Sequence, residues 1–403
     1  MPARLTPALV AATLLLAGCT GDTRAERPAT PPRASAQPTP DASEDVPSAL
    51  DDPANPAFPA PLIELEHLVS GGPPPDGIPP IDNPRFQPAD TVDWLEAAEP
   101  VLSLTVGGET RAYPLQIMTW HEIVNDTVGA VPVAVTYCPL CNSGVAFHRR
   151  VDGRLLDFGT SGKLYADNLV MYDRQTESLW PQLSGQASVG VLTGTQLTAI
   201  PMGVVGWDQF LTAHPEALVL TRVTGHQRDY GRNPYVGYDD PDGQLLVEPP
   251  EGRDPRLPVK ERVIGIRLGD QSVAVPRQTI ADADVLTLTL AGREIVLWHR
   301  SGQRSALDEA TIADGDEIGT VGVFDPQLRG RRLTFTAGQG GFRDVQTGST
   351  WNVLGEAIAG PSKAGDSRRS PTSTPSGSRG WPSSLTPPSI HEPSTGPVDI
   401  RPR

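Results

Sequence analysis

The side chains best suited to chemistry are two cysteines in the segment Cys138-Pro139-Leu140-Cys141. The only other cysteine, Cys19, lies near the N-terminus, so neither has a different partner in the mature body of the chain. Thiolate sulfur is both a nucleophile and a soft metal ligand. Three interpretations of the pair therefore stand side by side: a metal site, a structural disulfide and an exchanging redox pair.

In the metal interpretation, two thiolates leave the coordination of an ion incomplete. His121 is the expected third ligand, and Glu122 either completes the set or orients the imidazole. Sulfur combined with imidazole favours copper or zinc. His148 is also near in sequence, but its position beside two arginines is typical of a solvated strand end.

The elements around the cysteines are predicted to be strands. A β-branched run at residues 131–137 precedes the pair, and Asn142-Ser143-Gly144 and a second apolar run follow it. This pattern indicates strand, turn, strand, whereas a thioredoxin-type pair begins at a helix N-terminus. Strands are also expected at residues 101–106 and 285–290, and helices at residues 115–124 and 207–213. Forty glycines and forty-three prolines favour a mainly β (α+β) fold with few short helices.

A glycine-rich segment at residues 159–163 does not fit a nucleotide-binding loop. The motif requires a glycine where Asp157 stands and a serine or threonine where Leu164 stands. We therefore expect no nucleotide, and we interpret the segment as a turn. A pocket is expected beside it, with these candidate lining residues: Tyr137, Lys163, Tyr165 and Asn168. A net charge of −15 without a basic stripe argues against nucleic acid as a partner.

The N-terminus predicts export and lipidation. Residues 1–19 have a charged start, an apolar stretch and a small-residue site that ends at Cys19, as in a lipoprotein signal peptide. Residues 20–56 are rich in proline and alanine and predict a disordered tether. We expect the chain to be attached to the cell membrane by lipid on Cys19, on the extracytoplasmic side; the sequence identifies no protein partner.

The body of the chain shows internal similarity. Residues 102–114 resemble residues 264–276, and residues 173–180 resemble residues 344–351, in the same order. This predicts two diverged copies of one β-rich unit, at residues 57–225 and 263–360, joined by a connecting segment at residues 226–262. The second copy lacks counterparts of His121, Glu122 and both cysteines.

Residues 361–403 form a low-complexity tail rich in proline, serine, arginine and threonine. A shifted reading frame over residues 369–377 permits the Ile-Pro and Trp pattern of residues 200–207 in the first copy. We predict an out-of-frame tail and a longer native second copy, a hypothesis that resequencing of the gene after Gly360 tests.

Three motifs, at residues 120–126, 136–141 and 158–174, resemble the exported family catalogued as domain of unknown function 3179. The resemblance covers residues 60–360 approximately. It implies an exported protein, and it carries no activity over to this chain.

Overall fold

The computed structural model describes residues 47–363, and in this range the chain is mainly β, as predicted. The three α-helices of the described range are short: α1 (Leu115–His121), α2 (Trp207–Ala213) and α3 (Arg277–Ala283). Three single turns of 3₁₀ helix occur at Leu65–His67, Ala89–Thr91 and Ile312–Asp314. No helix within the described range has the length and apolar character needed to cross a membrane.

Strands β1 to β15 precede the connecting segment. They are β1 (Val69–Ser70), β2 (Phe86–Pro88), β3 (Pro100–Val106), β4 (Glu109–Pro114), β5 (Ile123–Val128), β6 (Val131–Cys138), β7 (Ser143–His148), β8 (Arg150–Val151), β9 (Arg154–Leu155), β10 (Phe158–Tyr165), β11 (Asn168–Asp173), β12 (Leu179–Pro181), β13 (Ala199–Ile200), β14 (Met202–Gly206) and β15 (Leu218–Leu220). Their sheet orders are β14-β3-β4-β15-β2, β13-β7-β6-β5 and β1-β10-β11-β12, with a small β8-β9 hairpin.

Strands β16 to β26 follow the connecting segment. They are β16 (Val263–Leu268), β17 (Gln271–Pro276), β18 (Val285–Leu290), β19 (Arg293–Arg300), β20 (Thr320–Phe324), β21 (Gln327–Leu328), β22 (Arg331–Arg332), β23 (Phe335–Gly338), β24 (Gly341–Asp344), β25 (Thr350–Trp351) and β26 (Ala357–Ala359). The sheet orders are β16-β17, β18-β19-β20, β21-β22 and β23-β24-β25-β26.

Helix α1 ends three residues before its predicted end. Its last backbone bond joins the Glu122 N–H to the Met118 carbonyl, and Glu122 then takes a positive φ of 59°. A positive φ stops a right-handed helix. The β-branched residues that follow, Ile123 and Val124, pair with β6 as part of β5. The predicted helix at residues 207–213 is confirmed as α2.

The glycine-rich segment at residues 159–163 is a strand and not a turn. It lies within β10, and its register against β11 shifts between Thr160 and Lys163. Gly162 has a φ of 71° at this irregularity. Glycine is favoured at β-bulges as well as in turns, so the glycine content of this segment did not distinguish the two.

Two series of elements follow the same order. A hairpin, a seven-residue helix and an antiparallel pair occur as β3–β4–α1–β5–β6 and again as β16–β17–α3–β18–β19. Both helices end at an acidic residue with positive φ, Glu122 and Asp284. The derivation of the halves from one ancestral unit stays a prediction.

The two series differ after the antiparallel pair. Only residues 139–142 join β6 to β7, whereas residues 301–319 lie between β19 and β20. This longer excursion sends Leu307 and Ile312 into the core formed by α1 and the first sheets. The segment at residues 301–319 therefore packs against the first series of elements. It takes the place that the short cysteine turn has in that series.

The predicted tether extends too far into the body of the chain. Ala49 is fully buried and clusters with Val170 and Leu179, so the chain already packs against sheet β1-β10-β11-β12 at this residue. Proline and alanine content concealed this apolar anchor. Cys19, the signal peptide and residues 364–403 of the tail lie outside the described range.

Candidate functional site

The two cysteines lie in a tight turn between antiparallel strands, as the sequence predicted. Cys138 ends β6 and is opposite Ser143, the first residue of β7. Asn142 adopts a φ of 47°, and its side-chain oxygen accepts a 2.8 Å hydrogen bond from the Tyr137 hydroxyl. This bond joins the residue before Cys138 to the residue after Cys141 and so closes the turn. Both cysteines are free thiols; Cys138 is buried and Cys141 is partly exposed.

Each sulfur receives an N–H group from the start of β11. The side-chain amide of Asn168 lies 3.0 Å from Sγ of Cys141, and the backbone N–H of Leu169 lies 3.4 Å from Sγ of Cys138. The hydroxyl of Ser143 lies 3.0 Å from Sγ of Cys141. The exposed sulfur is therefore held by an amide N–H group and lies within hydrogen-bond distance of a hydroxyl.

A buried glutamine fixes the donor of Cys141. Oε1 of Gln182 accepts hydrogen bonds from Asn168 at 3.1 Å and from Ser143 at 3.2 Å. Its amide nitrogen donates to the Thr136 hydroxyl at 3.0 Å, so both ends of the side chain are held. Gln182 is fully buried, and this network therefore orients Asn168 toward Cys141.

The buried thiol has a different electrostatic environment. Burial raises the pKa of Cys138 well above its usual range, and the neighbouring Cys141 and Glu122 raise it further. Cys138 also packs in the hydrophobic cluster that contains Phe147 and Trp180. The pair thus combines one accessible sulfur with one that keeps its proton.

Glu122 is a buried carboxyl close enough to act on the charge of Cys138. Its Oε1 accepts a 3.2 Å hydrogen bond from the Tyr235 hydroxyl. Burial raises the pKa of Glu122 to about 7, although the Tyr235 bond acts in the opposite direction. A carboxyl with this pKa exchanges protons at neutral pH.

His121 is engaged elsewhere. Its Nδ1 lies 2.7 Å from the Pro79 carbonyl, which can only accept, so Nδ1 carries the proton. Its Nε2 accepts from the Tyr230 hydroxyl at 2.6 Å. Burial lowers the pKa of His121 to about 4, although the hydrogen bond to the Pro79 carbonyl acts in the opposite direction. His121 is therefore neutral at neutral pH and has both ring nitrogens occupied.

The structure thus separates the four predicted metal ligands. Cys138 and Cys141 are together, Glu122 is electrostatically linked to Cys138, and His121 contacts Pro79 and Tyr230. In residues 47–363, three or more acidic, histidine or cysteine ligand atoms converge within 4.8 Å only at Glu64, Glu66 and His67.

The predicted pocket residues are also divided. Tyr137 and Asn168 contact the cysteine turn. Lys163 lies on β10 opposite Ser70 and Val170, and Tyr165 packs against the cluster around Val170.

Three tyrosines of the connecting segment complete the site and escaped the sequence analysis. Tyr230 contacts His121, Tyr235 contacts Glu122, and the Tyr238 hydroxyl donates to Oδ2 of Asp167 at 2.7 Å. Their recurrence within nine residues of a polar segment was the available signal. The connecting segment therefore contributes side chains to the site and also joins the two series of elements.

Comparison with known proteins gives a family without an assigned activity. Residues 75–376 match the model of a family described as protein of unknown function, DUF3179. No curated protein and no solved structure shows a significant match.

Proposed function

Because the chain belongs to the DUF3179 family, whose description gives no activity, we propose a function from the site itself: thiol–disulfide exchange by Cys141 and Cys138. One observation carries the proposal. A partly exposed sulfur with an N–H donor at 3.0 Å lies in the same turn as a buried thiol.

The first step uses the exposed cysteine. The thiolate of Cys141, positioned by the Asn168 amide, attacks a disulfide of the partner. A mixed disulfide forms between Cys141 and one partner sulfur. The other partner sulfur leaves as a thiolate and takes a proton from solvent.

The second step uses the buried cysteine. The Cys138 thiol gives its proton to the Glu122 carboxylate, and its sulfur attacks Sγ of Cys141. The second partner thiolate leaves, so the partner has gained two electrons and the chain holds a Cys138–Cys141 disulfide. The reverse sequence oxidises a partner dithiol, and the two reduction potentials set the direction.

The proposed location is the extracytoplasmic face of a membrane, through lipid on Cys19. The lipobox at residues 16–19 supports it. In a Cys19→Ser variant we expect the protein to leave the membrane fraction; a variant that stays membrane-bound contradicts the lipid anchor.

A thiolate metal site is the second candidate, because Cys138 and Cys141 lie in one turn beside a buried carboxyl. Copper or zinc fits two sulfurs. Recruitment of His121 as third ligand would require Nε2 to give up the Tyr230 hydroxyl.

Thiol counting with elemental analysis separates these functions. Exchange predicts that Cys138 and Cys141 are both alkylated on unfolding after mild reduction and both protected after glutathione disulfide, with a stable glutathione adduct on Cys141 in a Cys138→Ser variant. About one metal ion per chain, lost in Cys138→Ser, supports the metal site. A disulfide that resists mild reductant in the folded protein indicates a structural cross-link on a non-enzymatic scaffold.

A further inference from the structure

A cavity of about 500 Å³ lies beside the hairpin that carries Asn168. Its apolar lining comes from three places: Val69 of β1, Leu164 of β10, and Leu246 with Val247 of the connecting segment. Leu246 lies at the rim of the cavity and is 65% exposed, so its side chain is accessible to a partner. The cavity can accept an apolar side chain.

One carboxylate residue, Glu248, lines the same cavity, and two more lie beside its lining residue His67. His67 lines it, and Oε2 of Glu64 lies 3.3 Å from Nε2 of His67. The carboxylate of Glu66 is within 4.8 Å of both groups. Glu248 contributes to the lining as well and also pairs with Arg253. Together with the net charge of −15, these groups favour a cationic occupant.

Backbone pairing connects the cavity to the cysteines. Val69 pairs with Leu164, Leu164 pairs with Leu169, and the N–H of Leu169 points to Sγ of Cys138. On the connecting segment, the N–H of Val247 donates to Oδ1 of Asp167 at 3.1 Å. Asp167 directly precedes Asn168, the donor to Cys141. One hairpin therefore contacts both the cavity and the reactive sulfur.

We infer that this cavity binds a polypeptide segment with a basic and an apolar side chain, next to the cysteine that reacts with Cys141. The inference rests on the proposed exchange function and names its partner class: a protein thiol or disulfide in a basic, apolar sequence context. The apolar side chain enters between Leu164 and Leu246, and the cation lies among Glu64, Glu66 and Glu248.

The test uses the full chain with Cys19→Ser and Cys138→Ser, so that Cys141 is the remaining cysteine and the reaction stops at the mixed disulfide. Two short peptides each carry one cysteine activated with 2-nitro-5-thiobenzoate. One has leucine and lysine beside the cysteine, and the other has serine and lysine, so that the two peptides carry the same charge. Release of the coloured thiol gives the rate, which is divided by the rate of the same peptide with free glutathione.

We expect the normalised rate to be about tenfold higher for the leucine–lysine peptide. Leu246→Asp should abolish this preference. Leu155→Asp is the matched control, because Leu155 is also an exposed leucine and lies on β9, outside the cavity lining; it should keep the preference.

The outcomes separate the two proposals. If Cys141 reacts with the activated peptides but Leu246→Asp retains the preference, or none exists, the cavity inference is overturned and exchange stands. If Cys141 does not react even with the small reagent 5,5′-dithiobis(2-nitrobenzoate), the exchange function fails, and the inference fails with it.

Discussion

The hydroxyl of Tyr235 donates a 3.2 Å hydrogen bond to Oε1 of Glu122, across 113 residues of sequence. This bond attaches the connecting segment to a carboxyl that lies beside the buried thiol. Burial of the bond also raises the pKa of Tyr235, so the phenol keeps its proton and remains a donor. The proton affinity of Glu122 thus depends on a segment distant in sequence.

Glu122→Gln should slow closure of the Cys138–Cys141 disulfide. The amide cannot take the Cys138 proton, and general-base assistance is worth about a hundredfold. Rapid-mixing experiments that follow decay of a glutathione adduct on Cys141 measure this step. The preceding attack by Cys141 is the internal control and should change little; equal slowing of both steps contradicts the role of Glu122.

Local patterns sufficed to predict the strands of the cysteine turn. Alternating β-branched residues at 131–137 and the Asn142-Ser143-Gly144 sequence favour β6, the turn and β7 through interactions between residues close in sequence. The same holds for α2, which the sequence predicted with its observed limits. The predicted helix at residues 115–124 was three residues longer than α1, because the positive φ of Glu122 gives no signal in the amino-acid composition.

The partners of the site were not predictable in this way. Asn168 and Gln182 reach the turn from β11 and the end of β12, 27 and 39 residues beyond their contacts Cys141 and Ser143. Tyr230 reaches His121 across 109 residues. Such contacts arise from tertiary packing. His121 was expected near sulfur on sequence proximity alone, although the carbonyl of Pro79 holds its ring.

His121 and Glu122 should give opposite pH dependences of stability. Unfolding returns His121 from a pKa of about 4 to its ordinary 6.5, so its contribution is full above pH 6.5 and is lost as pH falls toward 4. Unfolding returns Glu122 from about 7 to 4.5, so its contribution is full below pH 4.5 and is lost as pH rises through 7. Each amounts to roughly 3 kcal/mol.

Single variants should reveal each slope. In Glu122→Gln, the free energy of unfolding should rise more steeply between pH 4 and 6.5 than in the unchanged protein, because the opposing Glu122 effect is removed and the His121 effect remains. In His121→Gln, it should fall between pH 4.5 and 7. Urea unfolding at a series of pH values measures both. Parallel pH profiles for the two variants would show that these residues do not titrate as their burial indicates.

Asn168→Ala should make Cys141 less reactive. The variant removes the N–H group 3.0 Å from Sγ, which holds the sulfur in place, and the loss of one such hydrogen bond should lower the rate about tenfold. Alkylation of Cys141 by iodoacetamide at pH 7 measures the rate. Asn352→Ala is the matched control, because its amide donates to Glu356 and not to a sulfur. Equal rates for the two variants would remove Asn168 from the mechanism.

Trp180 and Trp351 occupy matching turns but should differ in their effect on the thiols. Nε1 of Trp180 donates to Asp173 at 3.0 Å, and Nε1 of Trp351 donates to Asp344 at 2.9 Å. Both indoles are fully buried, so each Trp→Phe substitution should cost about 2–4 kcal/mol through the lost bond and the cavity.

The thiols should distinguish these two variants. Trp180 shares a hydrophobic cluster with Cys138, whereas Trp351 packs with Trp298 in the second half. Trp180→Phe should therefore loosen the packing of Cys138 and increase its alkylation rate in the folded protein. Trp351→Phe, at similar stability loss, should leave that rate unchanged. Urea unfolding and mass-resolved alkylation of each cysteine provide the comparison, and an equal increase in both variants would mean that global opening, not local packing, protects Cys138.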